Sequence, residues 1–171
     1  MADSICVGCG MCCDGTLFSR AILKPSDKFD RLGELGFEVE RNESESWFHQ
    51  PCHAFGGGCC TVYTERPLTC RGFRCELLIK HEDRGLAEGD ARRAIEQATT
   101  RRDRIRAAAA DLIGAESASL PMAHLFTRLT EVAATEQGRS QHAQLLLDVA
   151  ALDLLLKRCF AAPHTAENDE S

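Results

Sequence analysis

Nine of the chain's ten cysteines fall between Cys6 and Cys75, and only Cys159 lies beyond them. A segment this dense in thiols and this poor in continuous apolar sequence cannot easily build a hydrophobic core of its own. In a reducing compartment such density signals metal binding or thiol chemistry ahead of disulfides, whereas in an oxidising one a disulfide framework would lead. The start of the chain, Met1 to Val7, has no basic stretch followed by an apolar run. No secretory signal is therefore expected, and the reading is a cytoplasmic protein with reduced cysteines. Metal coordination would supply the missing stability, because metal binding and folding are coupled in segments of this kind.

The first cluster reads Cys6-Val7-Gly8-Cys9-Gly10-Met11-Cys12-Cys13. Two-residue spacing lets one turn of backbone aim successive thiolates at a common centre, and Gly8 and Gly10 relieve crowding and permit positive φ. A structural zinc site takes one such pair from each of two segments. Three cysteines at repeated two-residue spacing instead match the run that holds a cubane iron–sulfur cluster, with a fourth ligand from elsewhere. The second group is Cys52, Cys59, Cys60, Cys70 and Cys75. Arg66, Arg71 and Arg74 surround its last two members, where guanidinium groups would offset the net negative charge of a thiolate-bound metal; surface charge is the plainer account of them. His49 and His53 flank Cys52, and either would complete a Cys₃His site, although histidines beside such motifs are more often surface groups.

The ordered series Cys6-x2-Cys9-x2-Cys12-Cys13, Gln50-Pro51-Cys52, Cys60-Thr61-Val62-Tyr63 and Arg66-Pro67-x2-Cys70-Arg71-x-Phe73 resembles the CxxCxxCC family, the YkgJ-like cysteine-cluster proteins, over about residues 4 to 80. The resemblance implies zinc or iron chelation, by Cys6, Cys9, Cys12, Cys13, Cys52, Cys60, Cys70 and Cys75. Some relatives combine the cluster with protein-modifying activities such as lysine methylation. Cys59 directly precedes a motif cysteine and is read as a spare. Adjacent residues such as Cys12 and Cys13 rarely bind one ion in a mononuclear site. Eight candidates thus imply two sites, or one four-thiolate cluster with additional structural or redox-active thiols.

Beyond Lys80 the composition turns to Ala, Leu, Arg and Glu at helical spacing. Three helices are expected, over 90–113, 121–134 and from beyond Ser140 to Phe160. The last carries the stripe Leu145, Val149, Leu152 and Leu156, widened by Leu146, Ala150, Leu154 and Leu155, so it is read as buried on most of its circumference. In the first part, short strands are expected within Thr16–Leu23, Phe37–Glu40 and Ser46–His49, with a short helix after Pro25-Ser26 and a loop at Gly56-Gly57-Gly58. The fold class is α+β and helix-dominated. A small irregular cysteine-rich part (1–80) with short strands packs on a C-terminal bundle of about three helices (86–162), and a polar, disordered tail (163–171) follows.

The net charge of −6 argues against a nucleic-acid partner. Arg101, Arg102, Arg104 and Arg106 cluster around Asp103 and are read as a solvated helix face, the alternative being a docking patch for an acidic partner. No run reaches the roughly 20 apolar residues that span a bilayer. Phosphate loops, nucleophile elbows and His-Glu-x-x-His helices are absent from the sequence. Asp14 and Glu76, close to the cysteines, could carry protons, but surface carboxylates are common. His81, His124, His142, His164 and Cys159 are read as structural or exposed. Three functions compete: an iron–sulfur protein ([4Fe–4S]) for electron transfer or substrate modification, a structural zinc (Zn²⁺) protein presenting a surface to a protein partner, and a metal carrier with exchangeable thiolates.

Overall fold

The computed structural model describes residues 5–161. The expected tail and His164 lie outside these residues. Among the described residues there are five short strands and seven α-helices, a helix-dominated α+β arrangement.

The first strand, β1 (Arg20–Ile22), pairs antiparallel with β3 (Ser46–His49), which also pairs with β2 (Glu40–Arg41). Helix α1 (Phe29–Glu34) lies between β1 and β2 in the chain and turns its buried Leu32 inward. Leu23, Leu32, Phe37, Phe48 and Ala54 form a core here, with Phe37 and Phe48 edge-on at 4.9 Å. The cysteine-rich part therefore does build a core, though a small one, because residues scattered singly along the sequence converge across the sheet.

Two features depart from expectation in the next stretch. Gly56 is not in a loop but pairs in a tight hairpin of β4 (Phe55–Gly56) and β5 (Cys59–Cys60), with only Gly57 and Gly58 turning between the strands. Two short helices, α2 (Leu68–Gly72) and α3 (Glu76–Asp83), follow where no helix was expected. Buried Asp27 accepts the backbone N–H of Leu68 at 2.7 Å and of Lys24 at 2.8 Å, which fixes the start of α2 to the small core.

Helix α4 (Glu88–Ile113) begins two residues before the expected Asp90 and stops at Gly114 with φ 87°. It buries Ala91, Ala98, Ile105 and Ala109, a stripe whose alanines let α7 (Ala143–Leu155) approach closely. Helix α5 (Met122–Val132) adds Met122, Leu125 and Leu129 to the same core, and α6 (Glu136–Gln141) precedes α7. The expected last helix is α7 followed by a π-turn over Leu156–Phe160, and α6 lies before its expected start. It is not buried on most of its circumference: Val149 and Leu152 face the core, while Leu147 and Leu154 are 64% and 49% exposed and Ala150 is exposed. No helix among the described residues is long and apolar enough to cross a membrane.

Candidate metal centre

The first cysteine loop is a chain of tight turns. The Cys9 N–H donates to Cys6 O at 3.1 Å, Cys13 N–H to Gly10 O at 2.7 Å, and Leu17 N–H to Met11 O at 3.0 Å. Gly8 and Gly10 take positive φ as expected, but only Gly10 is crowded: a Cβ there would lie 2.1 Å from the Phe55 ring, whereas one on Gly8 meets nothing. Ile5 and Met11, 3% and 0% exposed, plug this loop into the helical core. Leu77 and Leu78 on α3 enter the same core just after Cys75, and Cys9 and Cys75 themselves pack against it.

Cys52 and Cys70 pack against the small core instead. Cys60 is held beside Cys52 through the hairpin, since Phe55 pairs with Cys60 and both the N–H and hydroxyl of Thr61 donate to Ala54 O. The two neighbourhoods meet at Cys12 and Cys13, whose sulfurs are 3.7 Å apart. The Cys52 N–H donates to Cys13 O at 2.7 Å. None of the ten cysteines is in a disulfide. Among the described residues, no three His, Cys, Asp or Glu side chains stand close enough to hold one ion as they are.

Their electrostatics follow these positions. Burial pushes Cys9 up to about 12, opposed by the Met11 backbone N–H and reinforced by Cys12, Cys75 and Cys6. Cys75 is raised by burial and by Cys6 and Cys12, against the Leu78 and Leu77 N–H groups at the start of α3. Burial raises Cys52, with Cys60 and Cys12 adding to it. Cys70 goes to about 12 through burial, then Cys52, Cys12 and Cys60, with only the Arg66 charge opposing. A hydrogen bond with the Cys13 sulfur is the largest cause of the rise at Cys12. Buried thiols whose anions would repel one another lose their protons to solvent readily only when a cation binds the sulfurs.

A metal–thiolate occupant fits this donor set. Backbone N–H groups already point at Cys9, Cys52 and Cys75, and they would stabilise sulfur that carries negative charge. Arg66 stacks on Tyr63 at 3.7 Å, and its Nε is buried without a partner among the described residues. Its charge opposes the rise at Cys70. Arg71 donates to the Arg66 and Thr64 carbonyls, and Arg74 pairs with Glu82 and Asp83.

The other candidates are placed elsewhere. His49 Nε2 meets Glu40 at 3.0 Å, and His53 Nε2 meets Leu35 O at 3.0 Å while its ring sits edge-on to Phe37. Exposed Cys59 directs its thiol to Gly56 O at 3.6 Å, and Cys159 packs against the helical core. Glu76 bonds Arg84 at 2.6 Å and lies near Lys80.

Sequence reasoning missed the role of α4. Of the arginines around Asp103, Arg104 is exposed as expected, but the other three are engaged with carboxylates or carbonyls. Arg102 bonds Asp14 at 2.5 Å with both side chains largely buried, Arg106 donates to Asp14 O at 2.9 Å, and Arg101 pairs with Asp148. Asp14 also accepts the Thr16 N–H at 2.8 Å, so α4 clamps the residue that follows Cys13.

The sequence profile of the CxxCxxCC family, a candidate zinc- or iron-chelating domain, matches residues 5–103. The chain belongs to this family. The match runs past residue 80 into α4 and ends one residue beyond Arg102, so the clamp on Asp14 falls inside the CxxCxxCC segment. The chain accordingly carries the family's zinc- or iron-chelating cysteine cluster. No curated protein and no solved structure matches the chain.

Proposed function

We propose that the cluster binds iron as a [4Fe–4S] centre on Cys6, Cys9, Cys12 and Cys75, and that the chain serves electron transfer or cluster-dependent modification of a protein partner. The observation that carries this reading is the partner found for the three-cysteine run. Cubane ligation takes three thiolates at two-residue spacing and a fourth from a distant segment. Cys75, sixty-odd residues further on, packs against the same core as Cys9 and interacts with Cys6 and Cys12. When bound, the cluster would supply one-electron chemistry. The residues' own part is to fix four sulfurs, aim N–H groups at Cys9 and Cys75, and keep Cys6 at the surface where electrons can be exchanged. Val7, 57% exposed between Cys6 and Cys9, offers an apolar contact to the partner.

A structural zinc centre is the second reading. It is favoured by the position of the thiols between two separate cores, which a bound ion would weld together. Anaerobic purification separates the two. Broad visible absorption that accompanies iron and acid-labile sulfide supports the cluster, and a colourless zinc-loaded protein removes it. In either case Cys9→Ser should abolish metal at this set, and unchanged metal content would refute the assignment.

A further inference from the structure

A cleft of about 320 Å³ lies between the segment that leads into the sheet and the helical bundle. Residues 15–20 and Ile22 line one side, and residues of α5, α7 and the turn that ends at Ala161 line the other. Small-molecule sites begin near this size, at about 300 Å³. At the ~30 Å³ that a water molecule takes in the liquid, the space suits about ten non-hydrogen atoms. Its inner wall includes Phe160 and Thr16, which are 1% and 5% exposed. The Thr16 N–H is bonded to Asp14, but the Thr16 hydroxyl is buried without a partner among the described residues. A buried hydroxyl left unpaired is costly, so the wall favours an occupant that brings it a polar atom. Around it, Phe18, Phe126 and Leu156 are apolar, and Phe18 is fixed edge-on against Phe73 at 4.9 Å.

The mouth of the cleft is charged. Among the described lining residues Arg20 and Lys157 are cationic, and Asp153 is the anion. Lys157 bonds Asp153 at 2.8 Å, and an ammonium with three donors can serve a further oxygen. Arg20 is held over the Trp47 ring, 5.1 Å from its centroid, with Nη2 at 3.5 Å from Glu45, which is not among the lining residues. The lining thus carries one cation in excess, which a single carboxylate balances. We infer that this cleft binds a small hydroxyaryl monocarboxylate of about ten non-hydrogen atoms. Its ring lies among Phe18, Phe126 and Leu156, its carboxylate meets Arg20 and Lys157, and its hydroxyl pairs with that of Thr16. An alkyl acid of the same size would leave Thr16 unpaired, and a dicarboxylate would bring one charge too many. No cysteine is among the described lining residues, so the site is separate from the thiol cluster, and the inference stands whichever metal that cluster holds.

The test is calorimetric titration of the full chain, purified anaerobically, with para-hydroxybenzoate, benzoate and phenol. Para-hydroxybenzoate is expected to saturate at a single equivalent per chain. Benzoate leaves the Thr16 hydroxyl unpaired and should bind about tenfold more weakly, and phenol, which lacks the carboxylate, should be weaker by about tenfold or more. Thr16→Val keeps the shape of the side chain without its hydroxyl, and should bring para-hydroxybenzoate and benzoate to within about twofold of each other. Ala123→Trp, at an exposed position of α5 that lines the cleft, fills the space and should abolish binding of all three. The inference is overturned if the wild type shows no saturable binding or binds the three probes equally. It is also overturned if Ala123→Trp binds as the wild type does, which would place the carboxylate on the metal. A Thr16→Val protein with native far-ultraviolet circular dichroism that keeps the full preference for the hydroxyl overturns it as well. Should Thr16→Val not fold, the order of the three probes on the wild type and their loss in Ala123→Trp decide.

Discussion

Arg102 offers the sharpest test of how the helical part serves the thiol cluster. Its side chain is 15% exposed and that of Asp14 is 13%, with 2.5 Å between Nη1 and Oδ2. Breaking a fully buried ion pair by removing one partner costs about 3–5 kcal/mol, because the other charge stays behind without compensation. Here Asp14 keeps the Thr16 N–H, and Arg106 remains close. The residual solvent contact and these partners reduce the expected cost of Arg102→Met to about 2 kcal/mol. Methionine retains most of the apolar stem, so lost packing contributes little. Asp14→Asn should cost less, about 1 kcal/mol, since Arg102 can still bond Asp103 at 2.8 Å. Urea unfolding of the two variants and of the double variant closes a cycle, and a coupling of about 1 kcal/mol or more is expected.

The same variants should report on metal. Asp14 directly follows Cys13, and its N–H donates to Gly10 O at 3.0 Å, so the clamp holds the turn that presents Cys12 and Cys13. If about 1.4 kcal/mol of the loss falls on the metal-loaded state alone, affinity drops about tenfold. Competition with a chelator of known affinity measures this. An additive cycle, together with unchanged metal retention in Arg102→Met, would show these arginines to be ordinary surface charge and refute the reasoning.

Three further outcomes follow from the structure. Gly10→Ala forces a left-handed backbone on alanine and drives its Cβ into the Phe55 ring, so a loss of about 1–3 kcal/mol in urea unfolding is expected, with weaker metal retention. Leu152→Ala, at a fully buried position on α7, should cost about 2–5 kcal/mol while the metal bound per folded chain stays unchanged. Proton linkage gives opposite signs for the two states. In the metal-free chain Cys9 and Cys70 rise from an ordinary 9.0 to about 12 on folding, so the unfolded state sheds these protons first. Stability is then flat below about pH 9 and falls between about 9 and 12, by about 1 kcal/mol per thiol at about pH 10. Metal retention should instead weaken steeply as pH drops from about 8 to about 5, because protons compete for the sulfurs; chelator competition across pH checks it.

What could be read from the sequence, and what could not, divides along physical lines. The glycine-spaced cysteine run encodes its local turns, and the positive φ of Gly8 and Gly10 follows from residues within the loop itself. Helices α4 and α5 were legible because long apolar periodicity and a terminal Gly114 declare them. Short elements were not. The Phe55–Cys60 hairpin has two-residue strands and owes its pairing to Thr61 and Ala54 across the turn, and α2 starts on a carboxylate 41 positions away. The basic stretch around Asp103 looked solvated since nothing local names Asp14 as its partner, 88 positions distant from Arg102. The last helix looked buried on most of its circumference because leucine count alone does not say which face meets α4.

Arg66 separates charge compensation from scaffolding. Arg102 and Arg106 are engaged with Asp14, and Arg71 and Arg74 with carbonyls and carboxylates, whereas the Arg66 charge acts on Cys70. Its stacking on Tyr63, which is 52% exposed, keeps it in place with no carboxylate partner among the described residues to cancel its charge. Arg66→Gln should therefore leave unfolding in urea nearly unchanged once metal is removed, yet weaken metal at the Cys70 set by about 1 kcal/mol, close to fivefold. Arg66→Lys restores the charge but lacks the planar fork and the Nε donor, so it should recover only part of that loss. Chelator competition on the three proteins distinguishes these cases. Equal affinities would mean that backbone N–H groups alone balance the thiolates at Cys70, and Arg66 would then be a surface residue that happens to stack on Tyr63.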